Sequence, residues 1–182
     1  MSDTGDSVTT AASIRLDRWT VTSGSNVNSR AAVVLHVGRH DWKASAEGNG
    51  AVDALLRAVD AALAEVLGGH PLLLSYDVHA LAEGPAAEGR VTVRIAPPSS
   101  APAARSAGRY TGEVASTNTV AASVEAYVEA LNAMLADPSW AGAAEAAASG
   151  RGRGRRTEPG GLAVAEFDDG ARPIDTTEWF NR

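Results

Sequence analysis

A stretch of twenty residues occurs twice in this sequence, and this internal repeat constrains the fold more than any other feature. A shift of 68 positions places residues 48–67 over residues 116–135 without a gap, so that Val52 aligns with Val120. In both copies apolar residues recur at spacings of three and four, which is typical of an amphipathic helix with one buried face. Because self-similarity at a fixed shift is the signature of a duplicated structural unit, we expect a chain built from two similar halves.

Short stretches in which apolar and polar residues alternate precede each copy of this helix, and a period of two predicts β-strands. The predicted strands cover residues 14–22, 31–38 and 40–46 in the first half and residues 72–81, 90–96 and 109–116 in the second. The alternation in the first strand slips once, which predicts a β-bulge near Arg18. We therefore predict an α+β fold: a duplicated βββα unit in which two antiparallel three-stranded sheets pack with two helices.

The length and composition of the chain predict one folded domain with extensions on both sides. A chain of 182 residues, 45% of them hydrophobic, is long enough for one modest core. We place this domain at residues 14–140, with repeat units at 14–69 and 72–136. The predicted extensions are a disordered polar leader at 1–13, a flexible linker rich in Ala, Gly and Arg at 141–160, and a C-terminal tail at 161–182 with aromatic residues that could dock on the domain.

Composition and charge argue against several classes of function. No apolar run approaches the eighteen or more residues of a membrane span, so we expect no membrane association. The absence of cysteine excludes disulfides and thiolate chemistry and is consistent with a cytoplasmic location. The net charge of -6 argues against nucleic acid as the main partner of the folded part. The Gly-Arg alternation at residues 151–156 could contact an acidic partner or could be a solvated linker.

Motifs for catalysis and metal binding are missing from the sequence. The histidines, His36, His40, His70 and His79, show none of the spacings typical of metal-ligating motifs. No serine lies in a nucleophile elbow, and no phosphate-binding loop is present. We therefore predict no catalytic residue, no metal site and no cofactor.

The start of the first predicted helix is the strongest candidate for a binding site. Gly48 and Gly50 form a glycine-rich turn there, and glycine allows the backbone to turn tightly. The unpaired amides of a helix's first turn carry partial positive charge, which suits a carboxylate or a phosphate. A lone GxG is a weak signal, so a plain loop-to-helix turn remains the alternative. Three carboxylates near the helix starts could bind an ammonium group, act as acid and base, or be solvated or capping groups: Glu47, Asp53 and Glu113.

Three segments of the sequence together carry a resemblance to a known family. They read GNGAVDALLRAV, YDVHALAEGPAAEGRVTVRI and GEVASTNTVAASVEAYVEALN. In this combination the chain resembles the C-terminal regulatory and dimerisation domain of 2-isopropylmalate synthase, which citramalate and homocitrate synthases share, over roughly residues 14–136. The duplicated βββα unit inferred from the repeat agrees with the fold that this resemblance implies.

The resemblance also implies a ligand and a set of binding residues. Members of the family dimerise and bind an end-product amino acid, leucine in the synthase itself, between glycine-rich turns and helix starts at the subunit interface. Carried over to this sequence, the ligand-binding residues are Gly48, Asn49, Gly50, Val52 and Asp53 at the first helix and Ser116, Thr117 and Asn118 at the second. The sequence departs from the family pattern at Ala51, where proline is usual, and at Asn118, where an acidic residue is usual.

The hypothesis that we favour is a stand-alone regulatory module in the cytoplasm that binds leucine or a similar amino acid as a homodimer and could pair with a separately encoded synthase subunit. The catalytic barrel of the synthase would require well over 200 further residues, so we expect no condensing activity from this chain alone. Two alternatives remain open. One is a small enzyme of a specialised biosynthetic pathway that reuses the ligand pocket, and the other is a purely structural dimerisation module.

Overall fold

Each half of the chain folds as three antiparallel strands followed by a helix, as the repeat predicted. The computed structural model describes residues 13–84, 86–102 and 107–151. The first half contains β1 (Ile14–Thr22), β2 (Ser29–Val37), β3 (His40–Gly48) and α1 (Ala51–Leu67). The second contains β4 (Leu72–Ala80), β5 (Gly89–Ala96), β6 (Tyr110–Ser116) and α2 (Thr119–Ala136), after which a 3₁₀ turn (Pro138–Trp140) leads into α3 (Ala141–Ala148). The prediction of an α+β fold built from a duplicated βββα unit is confirmed.

The two sheets share the same topology and even the same irregularity. Their strand orders are β1-β2-β3 and β4-β5-β6, and all neighbouring strands are antiparallel. The register of the first sheet shifts between Leu16 and Arg18, which confirms the predicted bulge. The second sheet has a shift at the equivalent place, between Leu73 and Ser75. The duplication therefore includes the bulge as well as the strands and helices.

Helix α2 joins the two halves into one core. Helix α1 packs on the three strands of its own sheet, whereas α2 packs on β5 and β6 and also contacts β1 of the first sheet. The side chain of Asn132 in α2 accepts a hydrogen bond from the backbone N–H of Ile14 (2.7 Å) and donates one to its carbonyl oxygen (2.8 Å). The apolar side chains of both halves therefore form one hydrophobic cluster.

A second polar link joins the two helices directly. The Tyr127 hydroxyl on α2 donates a hydrogen bond to Oδ1 of Asp60 on α1 (2.5 Å), and Nδ1 of His70 lies 3.8 Å from the other carboxylate oxygen. Burial raises the pKa of Asp60 from 3.8 to about 6, although the hydrogen bond from Tyr127 and the charges of His70 and Arg57 act in the opposite direction. Burial likewise raises the pKa of Tyr127 far above its usual value.

The flexible linker predicted from residue 141 begins instead with a packed helix. Ala143, Ala144 and Ala147 of α3 are buried, and the indole N–H of Trp42 in β3 donates a hydrogen bond to the carbonyl oxygen of Ala147 (3.3 Å). Alanine has the highest helix propensity, and its small side chain lets a helix approach closely. The composition of this segment predicted a flexible linker, because composition does not reveal the packing of α3 against Trp42. Residues 1–12 of the predicted leader, residues 152–160 and the predicted tail at 161–182 lie outside the described residues.

Gly48 and Gly50 have different structural roles at the corner between β3 and α1. A Cβ atom on Gly48 would lie 2.5 Å from the backbone nitrogen of Ala54 and 2.8 Å from its Cα, so only glycine fits where the strand meets the helix. Gly50 is extended (φ -156°, ψ 173°), and a Cβ there would meet nothing within 4 Å. The tight-turn role predicted for Gly50 is therefore wrong, since other residues can adopt this backbone.

Across residues 13–84, 86–102 and 107–151, no helix combines the length and the apolar character that crossing a bilayer requires.

We predict that Asp60→Asn makes the protein more stable at neutral pH. The folded state binds the Asp60 proton more tightly than the unfolded chain does, so ionisation of this group lowers the free energy of unfolding as the pH rises from about 4 to about 6. Asparagine keeps an oxygen to accept the Tyr127 hydrogen bond but does not ionise. Urea unfolding should show a variant more stable than wild type by up to about 3 kcal/mol at pH 7, with the difference shrinking toward pH 4.

Asp53→Asn is the matched control for this measurement. The pKa of Asp53 is lowered rather than raised, so this carboxylate stabilises the folded state above its unfolded pKa. The stability lost in Asp53→Asn should therefore be nearly constant at neutral pH and should shrink only as the pH falls below about 4, opposite in direction to the effect at Asp60. A stability difference for Asp60→Asn that stays constant from pH 4 to pH 7 would contradict the assignment.

We predict that Gly48→Ala and Gly50→Ala differ sharply in stability, although the two positions are two residues apart. The added methyl group at Gly48 must displace backbone atoms of α1, and overpacking of this kind costs about 2–3 kcal/mol. The same change at Gly50 should alter stability by less than about 1 kcal/mol, since the lost glycine preference at an N-cap offsets the reduced entropy of the unfolded chain. Thermal and urea unfolding would measure both. Equal destabilisation by the two substitutions would show that the corner is not packed as described.

Candidate ligand site at the helix starts

The first helix start, residues 48–53, presents backbone amides that no side chain caps. The N-cap residue of α1 is Gly50, which provides no side-chain hydrogen bond to the first turn. The N–H groups of a first helical turn have no partner within the helix, and the helix dipole places partial positive charge there. The space beside Gly50 is open for at least 4 Å. This start therefore offers donors and room for an anionic group.

Asp53 places a negative charge within the same turn. Its Oδ2 accepts a hydrogen bond from the backbone N–H of Asn49 (2.9 Å), and both carboxylate oxygens accept from Nε of Arg57 (2.9 and 3.0 Å). Burial raises the pKa of Asp53, but the hydrogen bonds from Asn49 and Arg57 outweigh it, and the net effect lowers the pKa. The side chain is 40% exposed. An ionised carboxylate thus stands beside the uncapped amides and remains open to a ligand cation.

The second helix start, residues 116–118, is chemically different. The N-cap residue of α2 is Asn118, whose Oδ1 accepts hydrogen bonds from the N–H groups of Val120 and Ala121 (3.1 Å each). The N–H of Asn118 in turn donates to Oγ of Ser116 (3.1 Å). A ligand that used the amides of Val120 and Ala121 would have to displace the Asn118 side chain, so this start is closed to anions by its own cap.

The structure groups the predicted site residues into two separate clusters. Gly48, Asn49, Gly50, Val52 and Asp53 lie together at the start of α1, and Ser116, Thr117 and Asn118 lie together at the start of α2. No hydrogen bond or ion pair within residues 13–84, 86–102 and 107–151 links the two clusters. The other carboxylates near the helix starts are already paired: Glu47 with Arg30 (2.8 Å) and Glu113 with Arg90 (3.3 Å).

Sequence reasoning missed a surface groove beside the first helix start. The groove has a volume of about 440 Å³ and is lined by Thr22, Val27, Asn28, Arg30 and Glu47, the last of which directly precedes Gly48. It forms where the turn between β1 and β2 meets the end of β3, and Ser29 pairs with Gly48 at its base. Val27 is 61% exposed. An apolar residue within the otherwise polar turn SGSNVNSR was the available signal.

Within residues 13–84, 86–102 and 107–151, no three His, Cys, Asp or Glu side chains lie close enough together to hold a metal ion.

Comparison with known proteins identifies the family. Residues 3–135 match the model of the LeuA allosteric (dimerisation) domain. A 2-isopropylmalate synthase from Nitrosococcus oceani is 37% identical over 63% of this chain and 20% of its own length, and one from Methylobacterium nodulans is 36% identical over 74% and 24%. One from Aromatoleum aromaticum is 38% identical over 57% and 18%.

These relatives are much longer than the part that this chain matches. The chain spans about a fifth of the length of the curated relatives it resembles, and that part corresponds to the regulatory domain rather than to a whole synthase. The match to the family model covers both repeat units and both helix starts. The chain therefore belongs to the family of LeuA allosteric (dimerisation) domains.

Proposed function

We propose that this chain is a regulatory module that binds a free amino acid, leucine or a similar branched compound, at the start of α1. The observation that carries the proposal is the pairing of opposite charges within one turn. Uncapped amides at Gly50 suit a carboxylate, and the ionised Asp53 beside them suits an ammonium group. An α-amino acid carries both an ammonium group and a carboxylate on one carbon atom.

The groove beside this start supports an apolar ligand side chain. Val27 contributes an exposed apolar surface there, and the ion pair of Arg30 and Glu47 forms a polar rim. A small-molecule site combines apolar surface with polar groups that fix orientation. Here Val27 is the one apolar residue of the lining, and it is the contact that a branched aliphatic side chain would use.

The family supports a regulatory role over a catalytic one. The matching relatives are named 2-isopropylmalate synthases, and the matching family model is described as allosteric. We infer that the module acts in the cytoplasm on a synthase, either one encoded separately or one of which this chain is a part. Binding without turnover would separate this role from that of a small enzyme with the same pocket.

Isothermal titration with leucine, isoleucine, valine and lysine tests the proposal. We predict that the branched amino acids bind and that Gly50→Val weakens leucine binding at least about thirtyfold, which corresponds to about 2 kcal/mol. The branched side chain would fill the open space in front of the amides and block one or two charge-assisted hydrogen bonds.

Gly50→Ala serves as the matched control for Gly50→Val. The space around Gly50 accepts a side chain without contacting the protein, so both variants should fold, with only the small loss of stability that a weaker N-cap residue causes. The smaller methyl group should cost less affinity than the isopropyl group. If Gly50→Val binds leucine as tightly as wild type does, the ligand does not sit at this helix start.

A further inference from the structure

The C-terminal end of α3 lies against the turn between β2 and β3, and two glycines make this contact possible. Gly38 and Gly150 both have a positive φ (63° and 69°), which side chains other than that of glycine disfavour. A Cβ atom on Gly38 would lie 2.8 Å from the carbonyl oxygen of Ala148, and one on Gly150 would lie 3.0 Å from the ring of His40. The backbone of each segment is therefore in close contact with the other.

The contact between residues 38–40 and 147–151, which we name the α3 corner, also fixes where the chain leaves the folded domain. The backbone N–H of Arg151 donates a hydrogen bond to the carbonyl oxygen of Ala146 (3.0 Å), so the chain keeps a defined course to that residue. Residues 3–135 match the family model, and α3 follows them. The α3 corner thus joins the matched domain to a segment that lies beyond the match.

The sequence that begins at the α3 corner is strongly basic. Four arginines lie within six positions there, whereas the whole chain has 16 Lys and Arg residues: Arg151, Arg153, Arg155 and Arg156. No acidic residue occurs between Glu145 and Glu158. We name residues 151–156 the arginine tract. In a chain with a net charge of -6, it is a local concentration of positive charge.

The turn of the α3 corner adds a further guanidinium. Arg39 is exposed, and among the residues that the structure describes it forms no ion pair. Arg151 contacts Glu145 (3.0 Å), but their side chains are 70% and 71% exposed, and an ion pair this exposed contributes little. The α3 corner therefore places Arg39 beside the root of the arginine tract.

The chemistry of this surface favours carboxylates over nucleic acid. A guanidinium binds either a carboxylate or a phosphate through paired N–H groups. Proteins that bind single-stranded nucleic acid also stack bases on aromatic rings, but residues 149–158 contain none, and Trp42 beside them is buried. The net negative charge of the chain repels a long polyanion, whereas a short acidic segment would meet the arginines alone.

We propose that the α3 corner and the arginine tract bind an acidic segment of a protein partner, a run of Asp and Glu side chains that Arg39 and the tract contact together. This surface goes beyond the amino-acid site and does not depend on it. Because the tract starts beside Arg39, a segment that binds one is held at high local concentration near the other. The α3 corner thereby turns separate weak ion pairs into one binding surface.

Fluorescence anisotropy of a labelled polyglutamate peptide with the full chain tests the proposal. We expect the peptide to bind, with an affinity that falls several-fold as NaCl rises from about 50 to about 300 mM, because salt screens exposed charges. Replacing Arg153, Arg155 and Arg156 by Gln should weaken binding about tenfold, and Arg39→Gln should weaken it about threefold. Arg94→Gln is the matched control and should bind like wild type, since Arg94 is an exposed arginine of β5 in the other sheet.

Combining the substitutions tests whether Arg39 and the arginine tract contact the same segment. Adding Arg39→Gln to the triple variant should then change the affinity little, because residues that act together are not additive. Full additivity, an unchanged affinity in the triple variant, or no binding by wild type would each overturn the proposal. Tighter binding of a single-stranded DNA oligonucleotide than of the peptide would overturn the choice of a protein partner. If circular dichroism shows that the triple variant is unfolded, the comparison of Arg39→Gln with Arg94→Gln decides.

Discussion

Two hydrogen bonds made by one amide side chain fix the position of the second half of this molecule on the first, alongside the hydrophobic cluster that both halves share. Asn132 in α2 satisfies both backbone groups of Ile14, the first residue of β1. One unit alone is short and would bury too little of its apolar surface to be more than marginally stable. By binding the first strand of the other unit, α2 places its apolar side chains against both sheets. The two helix starts are thereby held in one rigid core.

The two helix starts show how one repeated unit can give two different chemical environments. At the second, the side chain of Asn118 already occupies the amides of the first turn. At the first, Gly50 has no side chain to do so, and Asp53 contacts Asn49 instead. A cap and an anionic ligand compete for the same donors. The duplication thus provided two equivalent positions, of which only the first leaves its donors available.

The repeat and its periodicities were sufficient to predict the fold but only part of the site. Strand and helix order follow from alternation and from the spacing of apolar residues, and even the slip near Arg18 predicted a real bulge. The prediction of a flexible linker at residue 141 was wrong, because α3 begins there. An alanine-rich segment resembles a linker in sequence, and only the contact with Trp42 shows that α3 is packed. Gly48 and Gly50 look alike in the sequence, yet only Gly48 lies against another element. Side-chain contacts between distant segments leave no periodic signal, which is also why the groove at Val27 was missed.

The matching bulges at Asp17 and Leu74 affect more than the shape of each sheet. Successive side chains of a strand point to opposite faces, so a slip by one residue would exchange its inner and outer side chains. An extra residue at a fixed place prevents such a slip, because it fits the partner strand in one alignment only. The inner strands of both sheets are therefore locked in register. The leucines of β4, the outer strand of its sheet, therefore keep fixed positions along the edge. A strand that paired with this edge would meet them in one register only.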